Sequence, residues 1–425
     1  MRVGGPVKVP ANRPEAGAVC DRCARCLEVC PTYLATRVET LSARGRLELI
    51  AGAACGELKP GERYRQALTQ CIQCLACSAI CPKGVKAAEA VLEERARQPL
   101  KGWRYSLTRL VFRAMLFHRP MTAALIRLFS PLQKWLPARE GAASRHLPFF
   151  VADLLTRRPV HRPAAQSLFA RFPRRVPPDP SVAPAGRVTF FTGCYHGLVE
   201  PAPAAAVIRV LAANGFTVSI PPEQTCCGAP AFFAGRRGEA SRMAERNLQA
   251  LANDHSPVVV SCATCGSMIR REYPRLAADP DHGAALSRRV QDVAQILDTL
   301  PRLRPGVHPI AARVTIHDPC HLKRGQGVDR QVRRMLAAIP SLQVVEMEDA
   351  DLCCGGGGLY AITQPSLSRS MGDAKAQRIL DAGADAVVAG CPGCILQIRA
   401  SLSRAGSRME VLHPVELLAR SYGPG

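Results

Sequence analysis

Residues 351–365 read DLCCGGGGLYAITQP, and the reading of Cys353, Cys354 and the glycines behind them decides the fold of the second half of the chain. Neighbouring side chains of an extended segment point to opposite faces, so adjacent thiols make poor disulfide partners for each other. The run Gly355, Gly356, Gly357 and Gly358 removes side chains and admits backbone angles that other residues avoid. The combination suits a large inorganic body pressed against the backbone, with these four glycines as candidate cofactor-contacting residues.

The stretch has a counterpart. ADLCCGGG at 350 answers EQTCCGAP at 223, RVTIHDPC at 313 answers RVTFFTGC at 187, and AVVAGCPGC at 386 answers VVVSCATC at 258. Each half offers thiols in one order. The first has Cys194, Cys226, Cys227, Cys262 and Cys265, spaced C-x31-CC-x34-C-x2-C. The second has Cys320, Cys353, Cys354, Cys391 and Cys394, spaced C-x32-CC-x36-C-x2-C. Short β-rich runs (VTFF, FTVSI, PVVVS) alternate with helical ones such as AAAVIRVLAANG, where Gly215 is a C-cap candidate. That alternation predicts an α/β layer with a largely parallel sheet, whose ligands gather beyond the carboxyl ends of the strands. All ten cysteines follow such strands, and all ten read as metal ligands.

Upstream, CDRCARCLEVCP holds Cys20, Cys23, Cys26 and Cys30, and CIQCLACSAICP holds Cys71, Cys74, Cys77 and Cys81. Both are C-x2-C-x2-C-x3-C-P, the bacterial ferredoxin run, in which three thiolates hold one cubane and the fourth cysteine reaches the other cluster. Cys20, Cys23, Cys26 and Cys81 are assigned to one [4Fe–4S] cluster, and Cys71, Cys74, Cys77 and Cys30 to a second. Zinc sites use C-x2-C pairs parted by a longer spacer and do not fit. Arg44 and Arg46, in SARGR, read as surface charges or as groups tuning a cluster's potential.

With 425 residues and 47% hydrophobic content the chain can bury a sizeable core and divide into several domains. The fold class is α+β overall. A two-cluster ferredoxin-type domain (1–98) is followed by a helical and Pro/Arg-rich linker (99–186), then α/β modules at 187–305 and 306–425. Nineteen cysteines point to metal or redox chemistry in a reducing compartment. Cys55 alone falls outside the groups and reads as a packed structural thiol. No apolar signal region or membrane-spanning run is present, so the chain reads as soluble and cytoplasmic. The net charge of +22 suggests an acidic partner or an anionic membrane face. At 5% aromatics and with no groove-reading motif, nucleic acid is not expected.

A ferredoxin pair followed by two "CCG" modules resembles the iron–sulfur subunit of glycolate oxidase, the D subunit of heterodisulfide reductase and related lactate-oxidising systems. CPTYLATRVETLSARGRLELI, IHDPCHLKRGQG and CCGGGGLYAITQP look like the glycolate oxidase branch. CPGC keeps both Cys391 and Cys394, which many such subunits do not, and so leans toward the heterodisulfide reductase branch. The resemblance implies electron transfer from a separate FAD-containing 2-hydroxy-acid dehydrogenase subunit toward quinone or another membrane redox partner. It also implies that each module's five cysteines hold a noncubane [4Fe–4S] cluster, giving one or two beyond the ferredoxin pair. No G-x-G-x-x-G fingerprint occurs, so FAD and hydride chemistry belong to a partner.

Two features remain open. His317 and His321 flank Cys320 and are weak candidates for a catalytic, proton-shuttling role, with ordinary hydrogen-bonded histidines as the alternative. Residues 103–119 form a basic amphipathic stretch (Trp103, Tyr105, Leu107, Leu110 and Phe117 among Arg104, Arg109, Arg113 and Arg119). It fits either peripheral contact with the inner face of the cell membrane or packing on a partner. The functional expectation is an electron-transfer subunit of a glycolate or D-lactate dehydrogenase complex. The alternatives are thiol–disulfide chemistry at a CCG cluster and a structural or sensory metal protein.

Overall fold

A computed structural model describes residues 20–98, 164 and 166–423 apart from Asn253. The basic amphipathic stretch at 103–119 lies outside them. Among the described residues no helix is long and apolar enough to cross a membrane.

The fold is α+β, with a helical N-terminal unit and two sheets. The N-terminal unit is built from short helices, chiefly Ala43–Ala54, Glu62–Thr69 and Ala87–Arg97. Ser42 caps the first of these by accepting from the Gly45 amide at 3.0 Å. The cysteine runs coil between these helices. Cys55, at the end of Ala43–Ala54, is exposed. The expectation of a packed thiol is corrected there, because the helix terminus carries it into solvent.

The first sheet contains β1 (Arg175–Val176), β2 (Gly186–Phe191), β3 (Phe216–Ser219), β4 (Val258–Val260) and β5 (Val290–Asp292), in the order β1-β3-β2-β4-β5. All its pairings are parallel except β1 on β3, where the Pro/Arg-rich segment lends an antiparallel edge strand. The second sheet contains β6 (Ala312–His317), β7 (Leu342–Val345), β8 (Ala386–Ala389) and β9 (Glu410–Leu412), in the order β7-β6-β8-β9 and wholly parallel. Setting β3-β2-β4-β5 beside β7-β6-β8-β9 shows the duplication in three dimensions. Central strands covered on both faces read as unbroken apolar runs, as in VVV of β4 and AVVA of β8, all buried.

Each chain of strands ends where chemistry begins. Cys194 follows β2, Cys262 follows β4, Cys320 follows β6 and Cys391 follows β8, each at or next to a helix start. The paired cysteines lie on the loops after β3 and β7. Parallel topology thus delivers the thiols of each module to one sheet edge.

One titrating group marks the rim of the first sheet. Asp292 caps helix Val293–Asp298, accepting from the Ala294 amide at 2.9 Å, while Gln295 accepts from the Asp292 amide at 3.1 Å. Burial pushes its carboxyl up to about 7. The folded protein therefore holds a proton that the unfolded chain releases near pH 4. Stability falls as pH rises from about 4 to about 7, at up to about 1.4 kcal/mol per pH unit, and then levels. Asp292→Asn keeps the cap and removes that slope, so anaerobic denaturation should find the variant more stable than wild type at pH 8 but not at pH 4. Equal destabilisation at both pH values would show that the carboxylate's ionisation is not the cause.

Candidate metal centres

The two ferredoxin-type runs adopt one backbone form. Arg22 and Ala24 in the first run have φ of 55° and 66°, and Gln73 and Leu75 at matching offsets have 62° and 63°. Left-handed backbone at a non-glycine residue costs about 1–3 kcal/mol and persists where the surroundings over-determine it. Alternating handedness turns successive amides inward and makes an anion-binding concavity. The strain has a purpose if a sulfide-bearing cluster sits inside each loop.

The thiols of the two runs gather in two places. Cys30, Cys71, Cys74 and Cys77 line one small cavity with Arg46. Cys20, Cys26, Cys77 and Cys81 pack on a shared apolar patch of Ala43, Leu47, Val85 and Ala87, and Cys23 is exposed. The Cys81 sulfur accepts from the Val85 amide at 3.3 Å. Burial, reinforced by Cys71, Cys30 and Cys26, pushes the Cys77 thiol up to about 12. Thiols crowded this way cannot all ionise unless a cation lies among them. That is the chemical case for metal.

Arg46 is 1% exposed, so it is not a surface charge. It donates to the Ala67 carbonyl at 2.7 Å and to Thr32 Oγ1 at 3.2 Å, and it brings its charge to the wall of the Cys30/Cys71/Cys74/Cys77 cavity. Arg44 is partly exposed, paired with Glu39 and close to Cys26 and Cys20.

In the first module Cys194 pairs with Cys226, Cys226 with Cys227, Cys227 with Cys265, and Cys265 with Cys262. In the second, Cys320 pairs with Cys353 and lies near Cys354, while Cys354 pairs with Cys394 and Cys394 with Cys391. No two of the nineteen cysteines are joined by a disulfide. The modules join through Cys262 and Cys391, with Thr264 Oγ1 3.5 Å from the Cys391 sulfur. Cys74 of the ferredoxin unit stands beside Cys353. The thiols thus succeed one another from Cys20 and Cys26 through Cys77, Cys74 and Cys353 to the second module, and from there to the first, each near enough to the next to affect its ionisation.

Side chains far apart in sequence clamp this junction. Arg95 donates to the Leu68 carbonyl at 3.0 Å, to the Cys71 carbonyl and, across the interface, to the Phe233 carbonyl at 2.8 Å. Arg271 pairs with Glu89 at 2.7 Å, and Tyr360 donates to the Gln70 carbonyl at 2.9 Å. His321 lies between all three units, with Nε2 2.9 Å from the Gln73 carbonyl oxygen and Nδ1 3.3 Å from Thr264 Oγ1. Both of its nitrogens are engaged, which fits a tie better than a proton shuttle. His317 is different: it is 1% exposed and neither ring nitrogen has a partner among the described residues. Sequence reasoning missed Arg95, Arg271 and the fully buried Lys375. Lys375 Nζ donates to the Asp349 carbonyl at 2.6 Å, and the side chain lies near Cys353 and Cys354.

The glycine run separates into distinct jobs. A Cβ on Gly356 would stand 2.5 Å from the Gly393 carbonyl oxygen and 3.3 Å from the Cys354 sulfur, whereas one on Gly357 would meet Ile72 of the ferredoxin unit at 2.8 Å. The run presses the paired cysteines against the CPGC loop on one side and the N-terminal unit on the other.

Comparison with known proteins agrees with this construction. Residues 188–270 and 314–399 each match the family described as "Cysteine-rich domain" (CCG), and residues 17–85 match "4Fe-4S dicluster domain". A probable glycolate oxidase iron-sulfur subunit of Bacillus subtilis is 30% identical over 421 residues, 95% of this chain and 94% of that protein. One subunit of the fumarate reductase (CoM/CoB) of Methanothermobacter marburgensis is 38% identical over 241 residues, 56% of this chain and 47% of that protein. Lactate utilization protein A of Bacillus cytotoxicus is 29% identical over 237 residues, 55% of this chain and 98% of that protein. A crystal structure of a hypothetical protein from Helicobacter pylori shares the fold at a TM-score of 0.50 and 10% identity, covering 89% of this chain and 68% of that one. The chain is a multi-cluster iron–sulfur protein and belongs to the family of glycolate oxidase iron–sulfur subunits and their CCG-module relatives.

Proposed function

We propose that this chain is the electron-transfer subunit of a flavin-dependent 2-hydroxy-acid dehydrogenase, with glycolate or D-lactate as donor. The flavin resides on a partner subunit, and the electrons leave toward quinone. The observation that carries the reading is the succession of neighbouring thiols from the ferredoxin unit to both modules, since a structural metal site needs no such succession. The likeness over nearly full length to a probable glycolate oxidase iron-sulfur subunit supports the choice of donor.

The cluster holders would be Cys20, Cys23, Cys26 and Cys81, then Cys71, Cys74, Cys77 and Cys30. The five thiols of each module would hold one further cluster, and we take the modules as 187–305 and 306–425. Bound clusters supply reversible one-electron uptake. The protein's own residues do the rest. Inward amides and the Val85 N–H stabilise sulfur charge, and buried Arg46 and Lys375 offset it. The clamp of Arg95, His321 and Tyr360 fixes the spacing between units.

One observation favours a second reading, thiol–disulfide chemistry at a CCG centre. Cys194, Cys226, Cys227, Cys262 and Cys265 line a cavity of about 710 Å³, while of the second module's thiols only Cys391 reaches it. The two readings part in one experiment. The chain is purified anaerobically from native cells with its partners, and the visible iron–sulfur absorbance is followed on adding glycolate, D-lactate or a dithiol. Bleaching by a hydroxy acid in a flavin-containing sample is expected. Bleaching by the dithiol alone, with no flavoprotein present, would replace the first reading with the second.

A further inference from the structure

The two modules are copies of one design, so the positions at which they differ show what each copy was built to do. Aligning RVTFFTGC with RVTIHDPC sets Phe191, the last residue of β2, opposite His317, the last residue of β6. Both are 1% exposed. Phe191 belongs there as part of the apolar core. His317 in the same place leaves two ring nitrogens buried without a partner among the described residues. A buried polar group left unmatched costs about 1–3 kcal/mol, and native structures keep such groups few.

Sulfur is the neighbour that resolves this. One ring nitrogen of His317 and the sulfurs of Cys354 and Cys394 all lie within 4.8 Å of one another, close enough to share one metal ion. Those two cysteines belong to the five thiols of the second module. A neutral imidazole beside two thiols, with the Ala350 carbonyl nearby but no hydrogen bond formed to it, has the donor set of an iron ligand.

A second difference lies on the same side. Aligning the helices Arg237–Leu251 and Pro365–Asp381 on Met243 and Met371 sets Asn247 opposite Lys375. Asn247 accepts from the Thr225 amide at 2.7 Å and donates to the Cys226 carbonyl at 2.9 Å. Lys375 holds the equivalent loop by donating to the carbonyls of Asp349 and Ala350, and it adds a cation near Cys353 and Cys354. Arg378 on its own helix and Arg324, which donates to Asp351, bring further positive charge to that loop.

We propose that His317 supplies an imidazole nitrogen ligand to an iron of the second module's cluster, beside Cys354 and Cys394, whereas the first module, with Phe191 in that place, holds its cluster by thiolates alone. This rests on the second module carrying an iron–sulfur cluster. A neutral nitrogen donor adds no negative charge to the centre, and histidine ligation raises the potential of an iron–sulfur centre. The Lys375 cation acts in the same direction. The duplicated modules are therefore two different electron sites, with the second at the higher potential.

The test uses the full chain with its partners, purified anaerobically with histidine carrying either ordinary nitrogen or nitrogen-15. Pulsed EPR of the module signals is expected to show a strongly coupled nitrogen that changes with the isotope. In His317→Phe that coupling is lost and the potential of the same centre falls. Should His317→Phe fail to assemble, Phe191→His carries the test, because it is expected to create a histidine-nitrogen coupling in the first module and raise its potential. Isotope-insensitive spectra in a fully loaded protein, only the weak coupling of a hydrogen bond, or a coupling that survives His317→Phe would each overturn the assignment. About eight irons per chain, the content of two cubanes alone, would sink the loaded-module reading and the proposal with it.

Discussion

Replacing Cys74 by alanine is expected to cut electron passage through the chain by more than the roughly 10–100-fold that losing an outer partner of a metal site costs. Cys74 is 7% exposed and has two neighbourhoods. It lines the cavity shared with Cys30, Cys71 and Cys77, and it stands beside Cys353 of the second module. It is the thiol through which the proposed relay leaves the ferredoxin unit. On the proposed assignment its removal takes a ligand from one cluster and opens a gap between the ferredoxin unit and the modules. Iron should fall by about four per chain, the content of one cubane. Reduction of the remaining centres by the physiological donor should stop at the break. Cys55→Ala is the matched control, because Cys55 is exposed and outside every group, and it should change neither iron content nor rate. Unimpaired passage after the loss of four irons would mean that electrons enter the modules by another route.

The second large effect falls within the glycine run, where neighbouring substitutions should behave very differently. In Gly356→Ala the new methyl would stand 2.5 Å from the Gly393 carbonyl oxygen, and Gly393 lies between Cys391 and Cys394. Backbone faces backbone there, so no side chain can turn aside. The paired-cysteine loop and the CPGC loop must separate. Overpacking of this kind costs about 1–3 kcal/mol or more. Gly358→Ala meets nothing within 4 Å and bears only the left-handed φ of 58°, a cost of about 1–2 kcal/mol. Gly356→Ala should lose the second module's cluster while sparing the ferredoxin pair, and Gly358→Ala should keep every cluster with a modest drop in melting temperature. Iron content and EPR of the two variants measure this. Equal cluster loss in both would show that backbone freedom, rather than close approach, is what the run provides.

The parts of this protein that sequence makes legible are those set by local spacing. The ferredoxin runs declare themselves because three thiolates round one cubane require C-x2-C-x2-C, and the modules because strands such as VVV precede each C-x2-C. The alternation of strands and helices is enough for the α+β class and the parallel sheets. Spacing says nothing about which face of one unit meets another. The contact of Cys74 with Cys353 and the bond of Arg95 to Phe233 join residues far apart in the chain, and neither has a local signature. His317 and Lys375 occupy an intermediate place. Taken singly, His317 is only a weak proton-shuttle candidate beside Cys320, and Lys375 is an ordinary lysine in a mixed polar helix. Set against Phe191 and Asn247 in the repeat alignment, they mark where the copies diverged, a signal that the sequence itself carries. The glycine run reads in sequence as a place where an inorganic body approaches the backbone, and the close approaches seen there are made by protein: Gly393 on one side and Ile72 on the other.

The relay stands or falls on four clusters lying along one line of thiols. Iron and acid-labile sulfide, counted per chain in anaerobically purified protein, test this most directly. About sixteen of each are expected, at four per cluster. A count near eight would leave the two modules without clusters and end the line at Cys74, and zinc without sulfide would contradict the relay altogether.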